Sequence, residues 1–159
     1  MFIQKVFHVR LGLEQTKAAL KNVDLYGSEL EGMRKAALTP EGSAHVECEM
    51  PSGLRTNCVI SELPSENPNQ ALFRSTDGNL EVCGLVEFIP IRDQLTEVQL
   101  TLDYAFESSI HALIDRITND TDKFINRLLE RIIDWLNCAA FALSGEHAGS
   151  FAGSLQLAQ

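Results

Sequence analysis

Residues 97–106 alternate without a fault. Val98, Leu100, Leu102, Tyr104 and Phe106 are apolar or aromatic, and Glu97, Gln99, Thr101 and Asp103 between them are polar. Successive side chains of a strand point to opposite faces, so a period of two marks a strand with one dry face and one wet one. Two further runs repeat the pattern: Ala44, Val46, Cys48 and Met50 oppose His45, Glu47 and Glu49, while Val82, Gly84, Val86 and Phe88 oppose Glu81 and Glu87. Phe2–Leu11 sets Ile3, Phe7, Val9 and Leu11 against Gln4, His8 and Arg10, with Lys5 and Val6 breaking the alternation. Strands of this kind build antiparallel sheets and require a second layer over the dry side.

Turn residues punctuate the middle of the chain five times: Thr39-Pro40-Glu41-Gly42, Pro51-Ser52-Gly53, Pro64 through Asn69, Thr76-Asp77-Gly78-Asn79, and Pro90 through Gln94. Glycine supplies positive φ and proline fixes its own φ, so these clusters end strands mechanically. Asp77-Gly78 is a hairpin signal. Five connections between short runs give six strands in succession.

The cover is supplied by the last long segment. After Ser108 or Ser109, apolar residues recur at Ile110, Leu113, Ile114, Ile117, Phe124, Leu128, Ile132 and Trp135, at helical intervals. At 1.5 Å per residue, a helix over Ser109–Trp135 spans about 40 Å, enough to cross a small sheet. Asn119-Asp120-Thr121 is weak helix sequence and marks a kink or break. Glu14–Gly32 reads as a broken pair of short helices, with Gly27 and Gly32 bracketing the second piece, Ser28–Glu31.

The whole chain has 159 residues and a formal net charge of −9. That acidity excludes the basic footprint by which proteins neutralise phosphates, so no nucleic-acid partner is expected. Recurrent charge along the helix, and the lack of any long uncharged apolar run, exclude membrane insertion. Residues 1–143 read as one domain and the small, polar 144–159 as a tail. Cys48, Cys58, Cys83 and Cys138 form no C-x-x-C pair and read as reduced thiols. Met1–His8 has no unbroken apolar core of a signal peptide, so a cytoplasmic address is expected.

The order strand, two short helices, six antiparallel strands, long helix (β-α-α-β6-α) resembles the helix-grip fold of the START/polyketide-cyclase superfamily (SRPBCC, birch-pollen-allergen-like). The local likeness is best in Gly78–Pro90, a strand with mid-strand Gly84 and an aromatic, Phe88, before Pro90, and in Thr96–Tyr104, a strand opening with Thr. The resemblance covers about residues 2–140 and implies an α+β fold, with a seven-stranded antiparallel curved sheet gripping the C-terminal helix and a cavity between them. No catalytic motif of the family is matched residue by residue. Expected lining residues on the sheet are Val46, Cys48, Met50, Thr56, Cys58 and Ile60, then Phe73, Val82, Val86, Phe88, Leu100, Leu102 and Tyr104. Leu113, Ile114, Ile117, Phe124 and Leu128 would face them from the helix. Residue types alone leave a filled core and a cavity equally open.

Acid–base candidates are few. Tyr104 faces the apolar side. His111 and Asp115 are four residues apart, so one could orient the other, although a solvent-facing pair is the plainer reading. His8 and His45 lie on polar strand faces, and His147 lies in the tail. No metal-ligand spacing, phosphate loop, dinucleotide fingerprint or nucleophile elbow occurs, so no metal and no cofactor are expected. Asn119-Asp120-Thr121 matches a glycosylation sequon, which is idle in the cytoplasm. The first expectation is therefore binding of a small hydrophobic ligand (lipid, quinone or polyketide-like). A cyclase or dehydratase-like enzyme using the same cavity, and a protein-binding module without a cavity, remain alternatives, and a homodimer is compatible with all three.

Overall fold

The computed structural model describes the backbone of residues 1–22 and 31–146 and the side chains of residues 1–22 and 31–138. Its elements run β1 (Phe2–Val9), α1 (Leu13–Leu20), β2 (Met33–Leu38), β3 (Ala44–Glu49), β4 (Arg55–Leu63), β5 (Gln70–Gly78), β6 (Leu80–Arg92), β7 (Leu95–Phe106), α2 (Ser109–Thr118) and α3 (Asp120–Glu146). The second helical piece expected at Ser28–Glu31 falls almost wholly outside the described residues, as does the tail beyond residue 146. All seven strands form one antiparallel sheet in the order β1-β7-β6-β5-β4-β3-β2. Six strands thus pair with their chain neighbours, and β1 closes on β7. Together with the long C-terminal helix, this is the α+β helix-grip architecture that the order of elements led us to expect.

The turns behave as their residues dictate. Gly42 and Gly53 take φ of 86° and 84°, conformations that residues bearing a Cβ rarely adopt. Gly42 N donates to Thr39 O at 2.9 Å, and Gly53 N to Met50 O at 2.8 Å. Two connections depart from expectation. The β5–β6 ladder stops at Arg74↔Cys83. Beyond it Ser75 Oγ replaces a backbone acceptor, taking Val82 N at 2.8 Å, while Gly78 pairs with Cys58 of β4. The turn expected from Pro90 begins later, because β6 continues through Pro90 to Arg92. Phe88 N reaches Asn69 O at 2.9 Å. Pro90, two residues on, faces the same way but past the end of β5, so its missing N–H breaks no ladder bond.

In β1 the alternation holds through the expected break. Lys5 points inward, half-buried, and Val6 outward at 60% exposure. Gly84 sits on the inner face directly across from Phe73. A methyl group at Gly84 would overlap the Phe73 ring, 2.7 Å from its Cε1.

Three apolar clusters lie between the sheet and α3. One joins Phe7, Val9, Leu11, Phe88 and Val98 to Ile132 and Leu136, with Leu13 and Leu20 of α1 against it. A second holds Ile3, Cys58, Val82, Leu102 and Tyr104, with Phe73, Phe106 and Ile125 packed on it. The third sets Cys48, Met50 and Leu54 against Phe124. The C-terminal helical segment is two helices rather than one: Asn119 adopts the left-handed conformation (φ 56°) and ends α2. The backbone of α3 stays helical to Glu146, into the segment expected as tail. No helix among the described residues is long and apolar enough to cross a membrane.

Candidate functional site

The break at Asn119 decides where the C-terminal side chains point. Ser108 caps α2, its hydroxyl accepting from His111 N at 3.4 Å, and Asn119 N closes the helix on Asp115 O at 2.6 Å. On this helix Ile110, Leu113 and Ile117 are 68%, 55% and 75% exposed. Leu113 and Ile117 therefore do not line the interior; they form the outward stripe of α2. The helix's inward residues include His111 and Asp115 instead. The apolar period read as one face across residues 110–135 is interrupted at Asn119, and a left-handed residue reorients everything before it.

Asp115 is 1% exposed, where a solvent-facing carboxylate was the plainer expectation. Its Oδ2 accepts from the Tyr104 hydroxyl at 3.0 Å and its Oδ1 from Thr121 N at 2.8 Å. Thr121 opens α3, where the first backbone N–H groups lack intrahelical acceptors. Asp115 thus caps α3 from the last turn of α2, with its negative charge at the positive end of the helix dipole. No salt bridge reaches Asp115 among the described residues; Lys123 instead donates to Thr118 O at 2.9 Å.

Tyr104 is 3% exposed. Burial, followed by the hydrogen bond to Asp115 and its charge, pushes the phenol well above the usual tyrosine range, so it stays protonated at neutral pH. The Phe106 ring stands edge-on to both Tyr104 (centroids 6.0 Å) and His111 (6.5 Å). His111 and Asp115 share no hydrogen bond among those described, so neither orients the other. His111 Nδ1 is buried without a hydrogen-bond partner, while the Thr121 hydroxyl engages the Tyr104 phenol and offsets part of its rise. Sequence reasoning placed Thr121 in an idle sequon and at an expected kink or break, which occurs at Asn119, but gave it no role toward Asp115, because that approach depends on the turn at Asn119.

Of the other expected lining residues, Cys48, Met50, Thr56, Cys58, Val82, Phe88, Leu102 and Phe124 are buried. Val46, Ile60, Phe73, Val86 and Leu128 pack partly buried against the three clusters, and Leu100 and Ile114 are half-buried. The thiols of Cys48 and Cys58 are pushed up by burial to about 12 and about 11. His8 and His45 stand on the wet side beside Glu97 and Glu47, at 3.4 and 3.3 Å; His147 lies outside the described residues.

Two grooves open elsewhere. One of about 580 Å³ lies where β5 leaves β6, lined by Arg74, Asp77, Glu81, Cys83 and Asp103 among others. Those five side chains are exposed, while Val82 and Tyr104, which also line the groove, are buried residues of the inner face. A second, of about 310 Å³, lies at the start of α3 and is lined by Met33, Met50, Phe124 and Arg127.

No family model matches the chain, and no curated protein matches it in sequence. Solved structures do match in fold. A START superfamily protein from Mycobacterium smegmatis is 14% identical, with 85% of this chain and 98% of that one covered and a TM-score of 0.62. The Zhui aromatase/cyclase from a Streptomyces species is 10% identical over 86% and 93% of the two chains, with a TM-score of 0.69. Norcoclaurine synthase from Thalictrum, in complex with a transition-state analogue, is 10% identical over 86% and 93%, with a TM-score of 0.58. The chain has the START-like helix-grip fold.

Proposed function

Starting from that fold, we propose that the protein binds a small hydrophobic molecule between the inner face of its sheet and α3. The observation that carries this reading is the inner face itself. Its buried side chains from β1, β3, β4, β6 and β7 are almost all apolar, the exceptions on the sheet being Thr56 and Thr96, and a further polar group, Asp115 with Asp120 and Thr121, lies at the α2–α3 junction. An apolar wall with a few convergent polar groups is the usual make-up of a small-molecule site. Cys58, Phe73, Val82, Leu102, Phe124 and Leu128 are the residues we assign to the wall, and the outward Leu113 and Ile117 are left out of it.

Native mass spectrometry of freshly purified protein, with organic extraction, tests the reading. A co-purifying small molecule is expected, together with a thermal shift on adding the matching member of a lipid, quinone and polyketide panel. A ligand at a hundredfold excess over its Kd stabilises by about 2.7 kcal/mol, or ~5–11 °C for a domain of this size. A homogeneous unliganded mass with no shift across the panel would refute it.

The gathering of Tyr104, His111 and Asp115 favours a second reading, a cyclase or dehydratase-like lyase working in the same space. In that case Tyr104, protonated at neutral pH, would turn its proton from Asp115 to a substrate oxygen. Loss of turnover in a folded Tyr104→Phe protein is its test.

A further inference from the structure

Resting on the ligand-binding reading above, we propose that the groove at the start of α3 takes the carboxylate of an amphipathic organic acid, with Arg127 as the group that reads it. The groove, of about 310 Å³, lies between the start of β2, the β3–β4 turn and α3. Met33, Met50, Pro51 and Phe124 are its apolar walls, and Met50 and Phe124 belong to the cluster against which Leu128 packs. Arg127 follows Phe124 by about one helical turn, so the two share the face of α3 that lines the groove. It is half-buried, yet among the described residues it makes no ion pair and no hydrogen bond. An arginine keeps its charge in any protein environment, and a charge drawn out of water is normally paired. The partner that suits it is an anion, and a planar guanidinium matches a carboxylate through two parallel hydrogen bonds.

The charge balance narrows the ligand further. Arg34 and Arg55 both engage Glu49, and Glu31 is exposed, with no ion pair to Arg127 among the described residues. Setting Arg34, Arg55 and Arg127 against Glu31 and Glu49 leaves one positive charge, which suits a ligand with a single negative one. A phosphate monoester, with nearly two charges at pH 7, would carry the second into a groove that Glu31 and Glu49 also line. The groove is held in shape from two sides. Glu49 N donates to Gly32 O at 2.7 Å, fixing the start of β2, and Ser52 N donates to the buried Asp120 Oδ2 at 3.1 Å, fixing the β3–β4 turn on α3. The two methionines are unbranched and polarisable and adapt to an aromatic or an alkyl body alike. The carboxylate, not the shape of the body, then sets the class of ligand. The net charge of −9 opposes this little, because exposed charges beyond about 8 Å are screened at physiological ionic strength.

The test is calorimetric titration of the full chain with three probes of one ring system: naphthoate, naphthalenemethanol and naphthyl phosphate. Naphthoate is expected to bind roughly tenfold or more tighter than the alcohol, the difference that a hydrogen bond to a charged group supplies, and tighter than the phosphate. In Arg127→Gln, which keeps the aliphatic stem, the naphthoate-to-alcohol ratio should fall toward one. Arg127→Lys keeps the charge without the fork and should lose part of the ratio, so one folded variant is enough to place the reader at this position. The alcohol binding as tightly as naphthoate, the phosphate binding tightest, or a ratio unchanged in a folded variant would overturn the proposal. Failure of all three probes, with a small molecule co-purifying with the protein, overturns this inference alone. Failure of all three, with no co-purifying molecule and no thermal shift across the lipid, quinone and polyketide panel, overturns it along with the ligand-binding reading on which it rests.

Discussion

Deleting one oxygen atom, in Tyr104→Phe, should destabilise the protein measurably without changing its shape. The phenol donates at 3.0 Å to a carboxylate that is 1% exposed, and a hydrogen bond to a charged group contributes about 1.5–3 kcal/mol. The ring stays in place and no cavity larger than a hydroxyl is left, so the lost bond dominates. For a chain of this length that loss lowers Tm by ~3–12 °C. Asp115→Asn should be milder, about 1 kcal/mol. The amide oxygen still accepts from Thr121 N, and the amide nitrogen can donate to the phenol oxygen in place of the present bond. Because the two side chains share one interaction, the double variant should fall short of the sum by ~1–2 kcal/mol, within the range found for residues in contact. Urea unfolding followed by circular dichroism measures all four proteins, with an unchanged slope showing that the same surface is exposed in each. A Tyr104→Phe effect below ~0.5 kcal/mol, or coupling below ~0.3 kcal/mol, would show that the phenol and carboxylate do not act as a unit.

Other consequences follow from the same geometry. Gly84→Ala should destabilise by about 1–3 kcal/mol, since its methyl meets the Phe73 ring; an unchanged urea midpoint would contradict that packing. Leu136→Ala, at a fully buried position, should destabilise by about 2–5 kcal/mol, while Ile117→Ala on the outward face of α2 should stay within about 0.5 kcal/mol. Equal effects in thermal melts would reverse the assigned orientation of α2. Cys83 and Cys138 are exposed and Cys48 and Cys58 buried, so a thiol reagent at pH 8 should label the first two rapidly and the others only on unfolding. Tyr104, Cys48 and Cys58 all have folded pKa values raised above their ordinary ones. The folded state then holds protons that the unfolded state releases, so the stability these three groups contribute is fully present below about pH 8.5 and falls as pH rises beyond it. Stability that rises from pH 9 to 11 would refute those shifts.

The sheet was legible in the sequence because each strand buries one side only. The alternation in residues 44–50, 82–88 and 98–106 names the inward residues correctly, and a slip of one residue would have inverted them all. Pro90 was misread as a turn because its tolerance depends on where a different strand, β5, happens to end. The orientation of α2 was illegible for a related reason. Apolar residues at intervals of three and four define a face only along an unbroken helix, and one left-handed residue at Asn119 turns Leu113 and Ile117 outward and Asp115 inward. Neither partner of the Asp115 carboxylate is announced by spacing: Tyr104 comes from a strand, and Thr121 is brought up by the break itself.

The closure of β1 on β7 sets a schedule for making this protein. Phe2 pairs with Asp103 and Val9 with Thr96, so among the described strands β1 has its one hydrogen-bonded neighbour about ninety residues later, in β7. At about 5–20 residues per second, the ribosome takes roughly 5–20 s to reach β7. Strands β2 to β6 can zip to their chain neighbours meanwhile, but β1 must wait, with Ile3, Phe7 and Val9 uncovered and both its edges unpaired. That late, long-range closure makes for slow folding. In that interval β1 is the strand open to a holding chaperone or to a misdirected strand from another chain.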